Sequence, residues 1–409
     1  MVLEFTLEFS AVMPWKTASL LEARQRLIQA ALRGLKSVAQ LCRQTGISRK
    51  TGFKWLSRFR TFGGPGLRDR SRRPKSSPRR TPSRWLTAIG QMRRKHPHWG
   101  GKKIFAHLRQ KHPRARLPKT RTITGWLQRL GLARRRRAWA RRGPQLPRRT
   151  LTIPQAPNEV WTVDFKGCFR TRDGQRVDPL TVRDLFSRFI LGIRLLPHRH
   201  EPVRLYFQEI FARSGQPKII RVDHGGPFAG DGALDLSRLS AWWLRLGIAV
   251  EFTGRGRPQD NGAHEQMHRV YQTELASPPA ATPRGQQWRT TRWIAYYNEE
   301  RPHEALAQRV PATLYRKSRR RHRGRLPRLT YPRAWLKRRV TASGYIRWRG
   351  RVRVIGRAFG GQDVGFKPVA AGVHEVYFER HLIGLLVDTD PGGLRPAQWS
   401  KAPSASSKA

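Results

Sequence analysis

The sequence predicts a multidomain chain. All-α helix-turn-helix modules lie toward the N-terminus, an α/β region with a mixed sheet occupies the centre, and a small β-barrel follows. Three observations predict it. At 409 residues the chain exceeds one ordinary core. Its hydrophobic period changes twice, from helical spacing to strands alternating with helices, then to short alternating strands. Its charge is uneven: 39 Lys+Arg against 4 Asp+Glu in residues 1–150, 22 against 17 in 151–315, and 22 against 5 in 316–409.

Residues 15–65 read as a helix-turn-helix domain. Leu27, Ile28 and Ala31, then Val38, Leu41 and Cys42, recur at helical spacing, and Gly34 and Gly46 break the helices. Ser48 is the expected N-cap of a third helix that carries Arg49, Lys50 and Lys54 on its leading turns, backed by Phe53, Trp55 and Leu56. In such a layout the start of the recognition helix faces the major groove. A basic linker, 66–83, includes Arg72 and Arg73 and is expected to lie extended on phosphates. Residues 84–132 form a second helix-turn-helix-like domain, with Lys102 and Lys103 as candidate DNA contacts. A second basic linker, 133–150, contributes Arg135 and Arg136.

From 151 to 315 the pattern changes. "NEVWTVDFKGCFR" alternates like a strand, Asp173-Gly174 is a hairpin turn, and "VDPLTVRDLFSRFILGIRLL" gives two further strands. A helix, the short buried strand "KIIRVDHG", a helix, the strand "IAVEFTG", the loop "GRGRPQDNG" and two helices follow, so a mixed sheet should carry helices on its faces. Residues 316–327 are a third basic linker. Residues 328–390 have the short strands and Gly turns of a small barrel, and 391–409 read as a disordered tail.

Composition bounds the function. A net charge of +57 implies a polyanionic partner, with nucleic acid the leading candidate. The two cysteines, Cys42 and Cys168, make neither a Cys-rich zinc module nor a disulfide framework, and a reducing compartment fits. There is no apolar run long enough to span a membrane, and the start, with Glu4 and Glu8, lacks the basic region of a secretory signal.

Acids gathered between basic arms suggest metal-dependent chemistry on phosphates. Such chemistry needs carboxylates converging from separate elements around divalent ions about 3.5–4 Å apart. Hard oxygen ligands suit Mg²⁺ or Mn²⁺. Three acids have fitting contexts. Asp164 sits inside the apolar run "WTVDFKG", Asp223 ends the strand "IIRVDHG", and Glu265 opens a helix after a Gly-rich loop. The same helix holds His264-Glu265-x-x-His268, the HExxH pattern of zinc proteases. That reading needs a third ligand; Glu299 and Glu300 lie in what reads better as a packing helix, and the charge and the other acids stay unexplained. His264 is instead expected as a satisfied surface or loop-facing histidine. His268 and Arg269 share the face of Glu265 and should lie near DNA or the metal shell.

The stretches "GISRKTGFKWL", "HPHWGGKKI", "NEVWTVDFKG", "VRDLFSRF", "VDHGGPF", "RPQDNGAHEQMHR" and "YNEERPHEAL", in that order, resemble the insertion-sequence transposases related to retroviral integrases, the DDE superfamily. The resemblance runs from about residue 20 to about 388. It implies an RNase H-like integrase core at 151–315 and a metal-binding catalytic triad of Asp164, Asp223 and Glu265 with two Mg²⁺ or Mn²⁺ ions. It also implies a DNA transposase that hydrolyses strand ends at terminal inverted repeats and joins the 3′-OH to target DNA. The implied partners are double-stranded DNA and further copies of the chain, as a homodimer or homotetramer in a synaptic complex, in a bacterial cytoplasm with the nucleoid and with no membrane. Asp223 and Glu265 are 42 residues apart, and "AGDGALDLSR" reads as an insertion that lengthens the interval. His224 replaces a frequent Asn, and Gln272 a frequent basic residue for which Arg269 is the candidate substitute. The alternative is an inactive, transposase-derived, sequence-specific DNA-binding regulator.

Overall fold

The computed structural model describes residues 19–72, 81–133, 151–254 and 258–396. Arg73, Arg135, Arg136 and most of the first two basic linkers lie outside these residues, as do 397–409 of the expected tail. The chain divides into two units, Met1–Arg80 and Thr81–Ala409.

In the first unit, α1 (Leu20–Leu32), α2 (Val38–Gln44) and α3 (Arg49–Phe62) surround Ile28, Trp55, Leu56 and Leu67. Ser19, Ser37 and Ser48 cap the three helices; the Ser48 side chain accepts from the Thr51 amide. A Cβ at Gly52 would overlap Cys42 Sγ, so the close crossing of α2 and α3 requires glycine there. Arg24 is buried, donates to the Leu67 carbonyl and Asp69, and stacks 3.9 Å from the Trp55 ring centroid. Phe53, expected to back α3, is instead 54% exposed.

The second unit opens with α4 (Ser83–Lys95), α5 (Gly101–Lys111) and α6 (Thr120–Arg129), closed over Trp85, Ile89, Trp99, Ile104, Ile123 and Leu127. Trp99 Nε1 donates to Tyr296 Oη at 2.7 Å, and His96 stacks on the same tyrosine, which fixes this module on the central region.

The central sheet has the order β5-β4-β1-β6-β7. Its strands are β1 (Val160–Phe165), β4 (Pro179–Asp184), β5 (Ile190–Leu195), β6 (Ile219–Val222) and β7 (Ala249–Phe252). The small β2 (Phe169–Arg170) and β3 (Arg176–Val177) form the hairpin around Asp173. β4 runs antiparallel to β1 and β5, while β1, β6 and β7 are parallel, so the sheet is mixed as expected. Trp161, Val163, Leu180 and Val182 pack on one face against α7 (His200–Ser214) and α8 (Arg238–Arg245). On the other lie α9 (Gly262–Glu274) and α10 (Pro283–Glu299), with Ile190, Ile193, Met267, Tyr271 and Trp293 between them.

The C-terminal strands are β8 (Leu336–Arg339), β9 (Tyr345–Trp348), β10 (Arg351–Val354), β11 (Asp363–Ala370), β12 (Val373–Phe378) and β13 (His381–Val387). Among the described residues they form a four-stranded antiparallel sheet, β13-β12-β11-β8, and a β10–β9 hairpin, which share one core. Leu236, Ala241 and Leu244 enter this core, and Arg238 donates to the Ala342 and Arg357 carbonyls. The 229–238 insertion and α8 thus fasten the C-terminal strands to the centre. Residues 316–320 of the third basic linker are hydrogen-bonded along the central region: Ser318 N donates to Ser214 O and Arg320 to the Gly247 carbonyl. Arg395 pairs across to Leu385, so the first residues of the expected tail are held.

Candidate active site

Strand alternation selects which side chains face α9. Thr162 and Asp164 lie on one face of β1, and the register sets Asp164 beside Thr181 and Thr162 beside Arg183 on β4. These four polar residues line a face whose reverse is Trp161, Val163, Leu180 and Val182. Burial of a carboxylate there demands partners. Asn261 Nδ2 lies 3.4 Å from Asp164 Oδ2, and the Thr181 hydroxyl donates to the Asp164 carbonyl at 2.8 Å.

Thr181 also decides the HExxH question. Its one hydroxyl hydrogen goes to the Asp164 carbonyl, so it accepts from His264 Nε2 at 2.5 Å and His268 Nε2 at 2.8 Å. His264 Nδ1 is then left to accept from Thr162 Oγ1 at 2.8 Å. The hydrogen bonding assigns both rings the neutral Nε2–H form. Burial keeps them there: His264 falls well below the usual histidine range, and His268 is lowered to about 3, by burial first and then by Lys166 and Arg183. The two nitrogens that would grip zinc are spent on one threonine. His264 is fully buried rather than at the surface, and His268 lies inward with Nδ1 3.9 Å from Asp164 Oδ2, beside the candidate metal ligand.

Asp223 follows β6 at its carboxyl end. The Gly225 amide donates to Asp223 Oδ1 at 3.0 Å, and a Cβ at Gly225 would sit 3.1 Å from that oxygen. The turn therefore favours glycine beside the carboxylate. Glu265 lies on the first turn of α9, part exposed, with Arg269 Nη2 3.7 Å away one turn on. The Asp164 carboxyl is pushed up to about 7, mainly by burial, then by the nearby charges of Asp223 and Glu265. The three acids are electrostatic neighbours. Among the described residues, no group of three or more His, Cys, Asp or Glu stands close enough together to hold a metal ion. A divalent cation among the three carboxylates would relieve the repulsion that Asp164 feels, and hard oxygen donors suit Mg²⁺ or Mn²⁺, so these residues fit the group.

Both departures from the expected pattern have partners. His224 Nε2 lies 3.4 Å from Asp235 of the insertion, so the unusual residue and the unusual loop meet. Gln272 accepts from Lys166 and donates to Ser277. Lys166, which the sequence reading passed over, extends from the strand of Asp164 over the Phe169 and Tyr271 rings and supplies a cation beside the position where a basic residue is frequent. Its signal was its place two residues after Asp164, just past the end of β1. Asp184 is buried and accepts from the Asn158 and Ser187 amides, a structural role.

The candidate DNA contacts divide. Arg49, Lys50, Lys54 and Arg72 are exposed, and Lys54 lies 4.7 Å from the Trp55 ring centroid. Lys102 is exposed but paired with Glu304 at 2.5 Å. Lys103, expected on DNA, is turned into an internal cavity instead, where burial and Arg301 lower it to about 7. No helix of the described residues is long and apolar enough to cross a membrane.

Comparison with known proteins follows these divisions. Residues 154–258 and 246–311 each match an integrase core domain family. Residues 23–75 match a helix-turn-helix domain, 51–127 a homeodomain-like domain, and 337–389 the C-terminal domain of the IS481 family transposases. An uncharacterized 31.7 kDa protein of insertion element IS407 from Burkholderia multivorans is 31% identical over 202 residues, which are 46% of this chain and 66% of that protein, just under two thirds of its length. Among solved structures, the HTLV-2 integrase catalytic core in complex with magnesium aligns at 13% identity and TM-score 0.30, covering 40% of this chain and all of that one. A simian T-cell lymphotropic virus intasome chain aligns at 15% identity and TM-score 0.35, covering 74% and 99%.

Proposed function

We propose that the chain is an insertion-sequence transposase built on an integrase core, and that it cuts and joins DNA at Asp164, Asp223 and Glu265 with divalent-metal assistance. The observation that carries this reading is the Asp164 carboxyl, raised to about 7 by burial and by the charges of the other two acids. A buried acid crowded by two more is unfavourable unless a cation accompanies it.

Two Mg²⁺ or Mn²⁺ ions, when bound, would supply charge neutralisation at the scissile phosphate and at the attacking and leaving oxygens. Asp164 would hold both, with Asp223 and Glu265 completing one each. The chain's own residues do the positioning. Thr181 ties Asp164 to α9, Asn261 steadies its outer oxygen, and Gly225 leaves the Asp223 carboxylate open. Water first cleaves one strand at an element end and leaves a 3′-OH; that hydroxyl then displaces an oxygen at a target phosphodiester, with no protein–DNA covalent intermediate. Lys166 and Arg269 are placed to meet phosphates, and α3 to read the terminal inverted repeats. Joining acts on two ends, so a dimer or tetramer is part of the reading, as is a place beside the nucleoid in a bacterial cytoplasm.

The test is end cleavage and strand transfer on duplexes bearing the element's terminal repeats, in Mg²⁺ or Mn²⁺. Asp164→Asn and Glu265→Gln are each expected to lower joining by at least about 10³-fold with duplex binding retained. Joining that survives both substitutions contradicts the assignment. The second reading, a regulator that binds ends without cutting them, draws on the lack, among the described residues, of such side chains close enough together to hold a metal ion. It predicts binding and no products in either metal.

A further inference from the structure

On the side of α9 away from Asp164 lies a cavity of about 440 Å³. Its wall on α9 is formed by Ala263, Gln266, Met267 and Val270, while His268 lies on the opposite side, toward Asp164. The remaining wall carries the basic Lys103 from α5, Arg183 from β4, Arg188 from the β4–β5 turn and Arg301 after α10, together with the neutral His303, Tyr297, Ala305 and one carboxylate, Glu304. These residues come from "HPHWGGKKI", "VRDLFSRF" and "YNEERPHEAL", stretches to which the three-carboxylate chemistry gives no task.

The cations lack enough partners. Arg183 is 1% exposed; its Nη1 donates to the Ala263 carbonyl at 2.6 Å, but its Nε and Nη2 are buried with no hydrogen-bond acceptor. Arg188 Nη1, Arg301 Nε and His303 Nε2 are likewise buried without partners. Three acids lie near. Glu274 is shared between Arg301 and the Trp293 indole, Glu304 is engaged by Lys102, and Asp184, whose charge favours the charged forms of Arg183 and Arg188, accepts from the Asn158 and Ser187 amides. None of them accepts from the idle donors. Arg188 also keeps a left-handed φ of 63°, unfavourable for any residue but glycine. Repulsion from neighbouring cations is felt at Arg183, Lys103 and His303. His303 is lowered to about 2, by burial and then by Arg301, Lys103 and Arg183, and Lys103 to about 7, by burial and then by Arg301. Buried guanidinium groups with idle N–H donors are costly, and an oxyanion with several acceptor oxygens is the partner their forked geometry suits.

We propose that this cavity binds one phosphate-class oxyanion through Arg183, Arg188, Arg301 and Lys103, and that the bound anion seats α9 against the sheet. Arg183 is the link. The same guanidinium that would hold the anion already holds the Ala263 carbonyl, two residues before Glu265. The anion is either free inorganic phosphate or a phosphodiester of bound DNA. Neither the site nor its test depends on the metal reading.

The test uses the full chain in EDTA, with amide hydrogen exchange read across residues 263–270 and 297–303. Inorganic phosphate is titrated against chloride at matched ionic strength, which cancels the general attraction of a chain this basic for anions. Phosphate should protect these segments saturably and chloride should not. Arg188→Gln and Lys103→Gln, at less buried positions than Arg183, should each raise the half-saturating phosphate about 10-fold while circular dichroism stays native. Terminal-repeat duplex is the second arm. If duplex protects the same segments and abolishes the response to phosphate, the occupant is a DNA phosphodiester; if the phosphate response persists on the complex, it is the free anion. Absence of protection with either probe, or protection unchanged in both variants, overturns the proposal.

Discussion

Asp164 is the residue on which the account turns, and its titration has a definite sign. Its folded pKa of about 7 exceeds the ordinary carboxyl value of 3.8, with burial the main cause. The fold therefore favours the protonated acid. The stability tied to this group is fully present below pH about 4 and is lost as pH rises through about 7. In EDTA, unfolding midpoints of the parent and of Asp164→Asn should agree near pH 4 and diverge toward pH 8, with the Asn variant more stable by up to about 4 kcal/mol. Mg²⁺ should narrow that gap at pH 8 by stabilising the parent alone. Parallel pH curves would mean that the carboxyl is neither strained nor close to the other acids. The sequence made Asp164, Asp223 and Glu265 visible because a charge inside an apolar strand, or at its end, is conspicuous. It did not show where the histidines pointed. HExxH fixes a face of a helix but not what that face meets, and here it meets Thr162 and Thr181. Lys103 misled for a similar reason: a lysine in a basic stretch looks solvated until the neighbouring module closes over it.

At the scale of the element, α9 is held at its start by His264, whose two nitrogens bridge strands β1 and β4. His264→Ala removes both bonds and leaves the buried Thr162 hydroxyl without the His264 acceptor, while Thr181 keeps the Asp164 carbonyl and His268. A loss of about 3 kcal/mol in urea unfolding is expected, with joining reduced more than duplex binding because Glu265 loses its seat. Unchanged stability would show that the helix is anchored elsewhere. The elements themselves were readable: the capping Ser48 and the glycines after α1 and α2 marked the helix-turn-helix boundaries, and the Asp173-Gly174 turn marked its hairpin. What resisted reading was packing between elements. Residues 316–320 looked like a free basic linker, yet the backbone of Ser214 and Gly247 accepts hydrogen bonds from it. The insertion before α8 looked like spare loop, yet Leu236 belongs to the C-terminal core. Such contacts join segments far apart in the chain, and local periodicity carries no trace of them.

At the scale of the molecule, a +57 chain places most of its acids in residues 151–315, between two strongly basic stretches of sequence. The Met1–Arg80 unit has its own core and its own exposed basic helix, apart from the unit that carries the three acids. The central claim is that three carboxylates distant in sequence jointly bind divalent cations. Electron paramagnetic resonance of Mn²⁺ titrated into the full chain, with and without terminal-repeat duplex, tests it most directly. The account predicts bound Mn²⁺ that Mg²⁺ displaces, and that Asp164→Asn, Asp223→Asn and Glu265→Gln each weaken at least tenfold, about 1.4 kcal/mol. Mn²⁺ binding indifferent to all three substitutions, or no specific binding at all in the presence of duplex, would contradict it.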